Sequence, residues 1–331
     1  MDISKENINQ IFERFKDLNV LIVGDVMMDA YIFGKVERIS PEAPVPVVNL
    51  QKEENRLGGA ANVAMNIVSL GAKATICSII GDDKEGHLVE SLFANKHIST
   101  DGLFKSAEKP TTVKTRIIGN NHQLLRIDRE LTDEPSDEIE DTFIHKIKEI
   151  IGTHHVVIFS DYDKGSLTKK IIHEIIVAAN ALGIPTIVDP KNRHFLDYKT
   201  VTLFKPNLKE LAEGLKTNPI KPNKESISEA VSLLHSQLHN RYSMITLSEF
   251  GMMIYDHHQQ SYIQQPAHLR NIADVSGAGD TVVSVASLCL ALHLSAETII
   301  YLSNLAGGLV CEEVGVVPIN REKLLSEALS E

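Results

Sequence analysis

Six short apolar runs recur along the chain, and each is continuous rather than alternating in polarity. Such runs are typical of strands that are buried on both faces of a parallel sheet. They predict strands at 19–24, 74–80, 156–160, 185–189, 201–204 and 243–247. Helical patterns occur between them, at 60–70, 84–96, 137–151, 168–182, 208–215 and 226–239. The alternation predicts an α/β fold with a doubly wound, mostly parallel sheet.

Two segments break this alternation. Residues 31–50 contain three prolines and cannot form an ordinary helix. Residues 112–127 are two alternating runs around a Gly-Asn-Asn turn, which predicts a hairpin. We therefore expect one domain over residues 1–331, with a small β-lid formed by segments at about 31–50 and 110–130. An uncovered β-layer favours association, so we predict a homodimer that closes lid on lid.

Composition narrows the function classes. The chain has 331 residues, 43% of them hydrophobic, and a net charge of −11 without a long basic run, which argues against nucleic acid as a partner. The longest apolar stretch, 281–294, is too short and too often interrupted to span a membrane. No apolar segment precedes residue 18, so we expect no secretory signal and a cytoplasmic protein. Cys77, Cys289 and Cys311 lie far apart in apolar segments and read as core residues.

Polar side chains follow the predicted strands at one edge of the sheet. In open α/β sheets, ligands bind beyond the carboxyl ends of the strands. Carboxylates and lysines gathered there suit a sugar phosphate, a nucleotide and Mg²⁺, although loops are commonly polar anyway. The residues concerned are Asp25, Asp29, Asp161, Asp163, Lys164, Asp189, Lys191, Lys205, Asn207, Glu210, Ser248 and Glu249.

The motif with the most chemistry is Asp-Val-Ser-Gly-Ala-Gly-Asp at 274–280, followed by an apolar helix. Its glycines let the backbone approach a ligand closely. The unpartnered N–H groups and the dipole at the start of the helix favour a negative charge, such as a transferring phosphate. Asp280 lies in the first helical turn, where a carboxylate can accept a hydroxyl proton. Taken alone, the motif fits a capped glycine turn equally well.

A second motif, Gly58-Gly59-Ala-Ala-Asn62, opens a helix without a preceding apolar run. It lacks the Gly-x-Gly-x-x-Gly spacing of a dinucleotide site, which argues against an oxidoreductase. The glycine pair allows close backbone approach, and Asn62 offers a donor and an acceptor to a sugar hydroxyl. The alternative is a tight helix entry without a ligand.

Together, the stretch from Gly58 through Gly71 to Gly81 and the 274–280 motif resemble the two signatures of the PfkB family of carbohydrate kinases. Asn207-Leu-Lys-Glu210 is similar to the family's Asn-x-x-Glu motif, which implies that Glu210 helps, indirectly, to place Mg²⁺ with ATP. The resemblance covers essentially the whole chain. Three positions depart from the family pattern, with Ser276 for Thr, Lys205 for a neutral residue and Leu247 for Arg.

Segments 23–29, 38–47, 58–71, 160–165 and 189–191 are most similar to the heptose 7-phosphate kinases of this family, in their stand-alone form. That resemblance implies ATP-dependent phosphorylation of the anomeric 1-hydroxyl of D-glycero-β-D-manno-heptose 7-phosphate. The product would be the 1,7-bisphosphate, a precursor of ADP-heptose and lipopolysaccharide.

The resemblance and the motifs together suggest a role for each residue. Asp280 is the expected base, beside an anion hole formed by Gly277, Ala278 and Gly279. The residues expected to hold the sugar hydroxyls are Asp25, Gly58, Gly59 and Asn62. The cations expected at the phosphates are Arg38, which lies in the lid and would act across a dimer, Lys164 and Lys191. The residues expected around MgATP are Asn207, Glu210, Ser248, Glu249, Gly251 and Asn304, and a monovalent cation would be compatible with this site.

Two other functions remain open. The first is a PfkB-type kinase of another sugar or sugar phosphate. The second is a non-catalytic sugar-phosphate-binding protein on a kinase scaffold, because a fold alone does not establish a function. The presence of both Asp280 and the Gly-Ala-Gly turn argues against the second, since a sensor needs no base.

Overall fold

The structure is a computed structural model that describes residues 5–268 and 270–330. Its strands are β1 Asn19–Gly24, β2 Val26–Ile39, β3 Pro46–Gly59, β4 Lys73–Gly81, β5 Ser99–Ser106, β6 Val113–Gly119, β7 His122–Arg129, β8 Val156–Ser160, β9 Thr186–Asp189, β10 Leu203–Phe204, β11 Tyr242–Thr246, β12 Met252–Asp256 and β13 Ser261–Gln265. Its helices are α1 Lys5–Arg14, α2 Ala60–Ser69, α3 Lys84–Asn95, α4 Asp137–Ile150, α5 Lys169–Ala181, α6 Leu208–Gly214, α7 Lys224–Leu238, α8 Ala278–Ala291, α9 Ala296–Val310 and α10 Arg321–Ser330.

The large sheet has nine strands in the order β13-β12-β11-β10-β9-β8-β1-β4-β5. Pairing is parallel from β5 to β11 and antiparallel at β12 and β13. The mostly parallel sheet is as predicted, and all six predicted strands are present. The apolar run predicted at 201–204 forms only a two-residue strand, Leu203–Phe204.

Both faces of the large sheet are buried, and β1 shows why its apolar run is continuous. Val20 and Ile22 belong to one core cluster, together with residues of α2, α8 and α9. Leu21 and Val23 belong to a second cluster, together with residues of α4, α5 and α7. Successive strand residues point to opposite faces, so a strand between two helical layers needs apolar residues at every position.

The second sheet, called the small sheet below, has the order β3-β2-β6-β7. The predicted hairpin corresponds to β6 and β7, and Asn120 and Asn121 take the positive φ angles of its turn. The small sheet is larger than the predicted segments, since β2 begins at Val26 and β3 continues to Gly59. Met28 and Leu57 are buried at its base, which draws both strands into the body of the protein.

Candidate active site

A glycine turn and the first turn of α8 form the centre of the site. Gly277 precedes the helix with φ 82°, a left-handed conformation that favours glycine. A β-carbon on Gly279 would lie 3.6 Å from the Asp189 carboxylate and 3.7 Å from Lys205 Nζ. Asp280 follows and is 5% exposed. The predicted anion hole and base therefore lie next to the Asp189–Lys205 ion pair, at the carboxyl ends of β9 and β10.

Asp280 receives hydrogen bonds from two other elements. The Tyr162 hydroxyl, after β8, donates to Asp280 Oδ1 at 2.8 Å. The Asn62 side chain, on α2, also forms a hydrogen bond with Asp280. Burial and the nearby Asp189 carboxylate raise the pKa of Asp280 to about 6, against the opposing effect of Tyr162, Asn62 and Lys205. A base with this pKa is largely ionised at neutral pH and still able to take a proton.

Asn62 has an unused acceptor. The side chain is 7% exposed, and its Oδ1 has no hydrogen-bond partner within the described residues. An unsatisfied buried acceptor is costly unless a ligand or water completes it. Because it lies beside Asp280, this oxygen is suited to accept a hydrogen bond from a substrate hydroxyl.

Asp25 differs from the expected role. Its carboxylate is 1% exposed and accepts three backbone N–H groups, from Tyr162 at 2.9 Å, Lys164 at 3.0 Å and Ser166 at 2.9 Å. A carboxylate so enclosed is already satisfied by the protein, whereas a sugar ligand needs an open face. In this structure Asp25 therefore fixes the 162–166 loop instead of facing the sugar site.

The Gly58-Gly59 pair lies between the small sheet and α2. A β-carbon on Gly58 would lie 2.5 Å from Asp29 Oδ2, and one on Gly59 would lie 2.3 Å from the Asp25 carbonyl oxygen. Gly59 also has φ 63°. The pair is thus required for a close approach of β3 to β2, whether or not a ligand binds above it.

Two ion pairs mark the side of the site nearest the expected nucleotide. Lys205 Nζ lies 2.9 Å from Asp189 Oδ1, and Lys191 Nζ lies 2.7 Å from Glu210 Oε1. Burial opposes the charge of Lys191, but Asp189 and Glu210 together raise its pKa. Lys191 also lies 5.8 Å from the centroid of the Tyr162 ring, which joins this side to Asp280.

Asn207 and Glu210 form a complete capping box at the start of α6. Asn207 Oδ1 accepts from the Glu210 N–H at 2.8 Å, and Glu210 Oε2 accepts from the Asn207 N–H at 2.9 Å. The spacing of this motif is therefore explained by helix initiation, whether or not a ligand also binds there. It leaves Glu210 Oε1 directed to Lys191, at the edge where the nucleotide is expected.

The remaining nucleotide-side residues border an open turn. Ser248 and Glu249 are exposed after β11, and Gly251 has φ 85° where the turn presses on residues 265–267. Asn304 is 7% exposed, and its Nδ2 donates to the Pro266 carbonyl at 2.8 Å. Asn304 thus supports this segment from below.

The three expected phosphate-binding cations do not gather at one point. Lys191 is at the centre, as described. Lys164 Nζ is paired with Glu130 Oε1 at 3.0 Å. Arg38 is exposed near the far end of β2, roughly 40 Å of strand from Asp25, so within one chain it lies away from Asp280. The expected role of Arg38 at a phosphate therefore stays a prediction that requires a partner subunit.

Sequence reasoning missed two relationships at the site. The Tyr162–Asp280 hydrogen bond joins residues 118 positions apart, and the Asp29–Arg116 ion pair joins residues 87 apart. Arg116 Nη1 lies 2.5 Å from Asp29 Oδ1, directly beside Gly58. The available signals were the tyrosine in the polar run after β8 and the arginine in the alternating hairpin.

Neither a cluster of metal-ligating side chains nor a membrane-spanning helix occurs in the described part of the chain. Across 5–268 and 270–330, no three histidine, cysteine or acidic side chains are arranged to hold a metal ion. In the same ranges, no helix combines the length and apolarity needed to cross a membrane.

The fold matches solved sugar kinases. Arabidopsis thaliana ribokinase, complexed with ribose and ATP, aligns with a TM-score of 0.73 and 19% identity, over 95% of this chain and 99% of that one. Escherichia coli phosphofructokinase-2 in complex with fructose-6-phosphate aligns with a TM-score of 0.75 and 20% identity over the same shares. At these identities the likeness establishes the fold alone.

Sequence relatives are closer. A D-beta-D-heptose 7-phosphate kinase of Bordetella bronchiseptica is 38% identical over 96% of this chain and 98% of that protein. A bifunctional protein HldE of Geotalea uraniireducens is 37% identical over 98% of this chain, which spans 66% of that protein's length. The model of the pfkB family carbohydrate kinases matches residues 17–323. The chain belongs to the pfkB family of carbohydrate kinases.

Proposed function

We propose that the protein transfers the γ-phosphate of ATP to the anomeric 1-hydroxyl of D-glycero-β-D-manno-heptose 7-phosphate, giving the 1,7-bisphosphate. The observation that carries the chemistry is Asp280, buried at the start of α8 and bordered by the Gly277–Gly279 turn. The similarity to a protein named for heptose 7-phosphate supports the choice of sugar. By the same reasoning, the reaction belongs to the synthesis of ADP-heptose in the cytoplasm.

The base acts on the attacking hydroxyl. Asp280 accepts the proton of the 1-hydroxyl as its oxygen attacks the γ-phosphorus in line and ADP leaves. The N–H groups of the Gly277–Gly279 turn and the adjacent Lys205 ammonium balance the negative charge of the transferring group. The free Asn62 Oδ1 accepts a hydrogen bond from a neighbouring hydroxyl.

The distal phosphate has a better candidate site than Arg38. On one face of the small sheet, Arg56 and Arg116 lie 4.7 and 5.4 Å from the centroid of the Tyr31 ring. Arg56 is three residues, or about 10 Å of strand, from Gly59, which is comparable to the length of a heptose 7-phosphate. Planar guanidinium groups bind phosphate through paired hydrogen bonds. We assign the 7-phosphate to this inner face, defined by Asp29, Tyr31, Arg56, Lys114 and Arg116.

Contacts within the chain support an inner face that looks toward Asp280. Lys114 contacts Glu130 Oε2 at 3.2 Å, and Lys164 contacts Glu130 Oε1 at 3.0 Å. Lys164 belongs to the 162–166 loop, whose Tyr162 bonds Asp280. The sugar then lies between Asp280 and the arginines, with Asp29 free to accept from its hydroxyl groups when Arg116 turns to the phosphate.

ATP occupies the opposite side of Asp280, between the Asn207–Glu210 start of α6, the Ser248–Gly251 turn and Gly277–Gly279. Mg²⁺ commonly binds through the nucleotide phosphates, water and one or two carboxylates. The Glu210 carboxylate provides a hard oxygen donor of this kind, and it would order the metal together with ATP. When bound, Mg²⁺ neutralises phosphate charge. A monovalent cation near the same turn is part of the proposal.

A homodimer through the small sheet is also part of the proposal. The face opposite the inner face, here called the outer face, carries Ile32, Ile117, Leu125 and Ile127 in register. Leu125 and Ile127 are 53% and 51% exposed. A contiguous apolar β-face is a typical association surface. Arg38 could contribute to a substrate site only from the partner subunit.

The test is ADP release from MgATP with heptose 7-phosphate, beside fructose 6-phosphate, ribose and a no-sugar control. We expect turnover with heptose 7-phosphate and little with the others. Turnover on another sugar would support the kinase activity and contradict the choice of heptose 7-phosphate as substrate. Tight binding of sugar phosphates without turnover would instead favour a binding protein.

A further inference from the structure

Tyr162 is fixed at both its backbone and its hydroxyl. Its N–H donates to Asp25 Oδ2 at 2.9 Å, and its hydroxyl donates to Asp280 Oδ1 at 2.8 Å. The loop that carries it turns back through two left-handed residues, Asp163 at φ 56° and Gly165 at φ 86°. With three N–H groups held by one buried carboxylate, the loop has little freedom to move Tyr162 away from Asp280.

We propose that Tyr162 is a positioning residue, whose hydroxyl holds one oxygen of the Asp280 carboxylate and leaves the other to take the proton of the sugar hydroxyl. The proposal rests on the proposed function in treating Asp280 as the base. A carboxylate has two equivalent oxygens, so an anchored oxygen restricts where the second one points, and the Asn62 side chain adds a further hydrogen bond to Asp280. Such orientation is a substantial part of general-base efficiency.

The charges around Asp280 explain why a neutral donor is useful. Burial disfavours the charged form of Asp280 most strongly, and Asp189, the last residue of β9, also disfavours it, whereas Lys205, after β10, favours it. Together these effects raise the pKa of Asp280 to about 6. The Tyr162 hydrogen bond stabilises the ionised form of Asp280. It does so without a further positive charge, which would weaken Asp280 as a base. Burial and the Asp280 charge raise the pKa of Tyr162 well above its usual value, so its hydroxyl remains a donor throughout the working pH range.

Tyr162 also joins the two substrate sides of the site. Its ring lies 5.8 Å below the Lys191 ammonium, which is paired with Glu210 at the nucleotide edge. Its hydroxyl reaches the base on the sugar side. A phenylalanine would keep the ring and its contact with Lys191 and would remove only the hydrogen bond to Asp280.

The test is the pH profile of kcat/KM in Tyr162→Phe. A hydrogen bond to a charged group is worth about 1 pKa unit or more, so the acid limb should move upward by about 1 unit. At pH 6 this corresponds to a loss of about fivefold from ionisation alone. At pH 8.5 ionisation is complete in both proteins, and any remaining loss of kcat reports the orientation of the carboxylate.

Tyr198 offers a matched control. Its hydroxyl donates to Asp161 Oδ2 at 2.7 Å, behind the same loop but away from Asp280. Tyr198→Phe removes a tyrosine–carboxylate hydrogen bond of the same kind, so it should leave the acid limb in place. If both variants move the limb equally, the effect belongs to the loop in general and the proposal is overturned.

A second measurement needs no substrate. Carboxyl ¹³C NMR on aspartate-labelled protein, with Asp280 assigned through Asp280→Asn, should show a titration near pH 6 that rises by about 1 unit in Tyr162→Phe. Replacing Tyr162 with 3-fluorotyrosine, a stronger donor, should lower it. An unchanged midpoint in both would reject the proposal. If the midpoints shift as expected but no sugar is turned over, the role of Tyr162 is retained and the proposed function is rejected.

Discussion

The Lys205 ammonium lies 2.9 Å from the Asp189 carboxylate, with side-chain exposures of 4% and 14%. Two charges so enclosed depend on each other, because neither can recover its hydration when the partner is removed. Both border Gly279, so the pair also sets the electrostatic environment of the anion turn. Lys205 is one of the positions that depart from the family pattern, and the structure gives it a defined partner.

Lys205→Met should lower the free energy of unfolding by about 3–5 kcal/mol, because it leaves the Asp189 charge buried and unpaired. The double variant Asp189→Asn with Lys205→Met removes both charges and should recover much of that loss. Urea denaturation of the single and double variants measures the difference. Equal destabilisation in the two would mean that the unpaired Asp189 charge is not the source of the loss.

Asp280→Asn should lower kcat by about 10²–10⁴ with an intact fold, because the variant cannot accept the hydroxyl proton. In the wild type, Asp280 must be ionised, and its pKa is about 6. Activity should therefore fall as the pH drops below 6 and level off above it. Since the second pKa of a phosphate ester is also near 6, the residual activity of Asp280→Asn is the control. If the activity of Asp280→Asn falls at low pH in the same way as that of the wild type, the titrating group is the substrate phosphate and not Asp280.

Arg116→Met should raise KM for heptose 7-phosphate by about 10–100-fold, since a charged hydrogen bond to the distal phosphate is lost. Heptose without the phosphate should be affected much less. Arg38→Met is the comparison, because it removes a cation far from the inner face in the same chain. A larger effect of Arg38→Met would move the phosphate site to the partner subunit.

Gly59→Ala should cost more than about 3 kcal/mol of stability, since the new methyl adds a clash with the Asp25 carbonyl to the backbone strain at φ 63°. Gly183→Ala is the matched control. Gly183 has a similar φ of 69°, but nothing lies within 4 Å of its added β-carbon, so we expect a cost of about 1 kcal/mol. Thermal and urea unfolding of the two variants measure the two losses of stability.

Leu125→Lys combined with Ile127→Lys should convert a dimer into a monomer, because two charges on the outer face oppose its burial against a second copy. The mass measured by light scattering after size exclusion should then change from twice 36.6 kDa to 36.6 kDa. Leu182→Lys is the control, since Leu182 is 55% exposed at the end of α5, outside the small sheet. A wild-type protein already at 36.6 kDa would contradict the dimer.

The parts of the fold that were predictable are those with a continuous apolar pattern. The central strands are buried on both faces and therefore stand out in the sequence. β5 and β13 lie at the two edges of the large sheet, where polar residues are tolerated, and neither was predicted. The extent of the small sheet was underestimated for a related reason, since its inner face is polar along much of its length.

The predictable part of the site is the part that is local in sequence. The 274–280 turn and the Asn207–Glu210 cap are short motifs whose chemistry follows from spacing. The hydrogen bond from Tyr162 to Asp280 could not be predicted in this way. The spacing of residues within a strand or helix does not indicate which loop of the fold will contact Asp280. Asp25 shows the converse, since a carboxylate in the expected place accepts three backbone N–H groups and is enclosed by the protein.

Asp25 also connects two parts of the molecule through a single residue. Its carboxylate holds the loop of Tyr162, and the next residue, Val26, begins β2 of the small sheet. A rotation of the small sheet about this junction would act on the Asp25 side chain and, through it, on the loop of Tyr162. If the small sheet binds the sugar phosphate as proposed, binding there would be coupled through Asp25 to the orientation of Asp280.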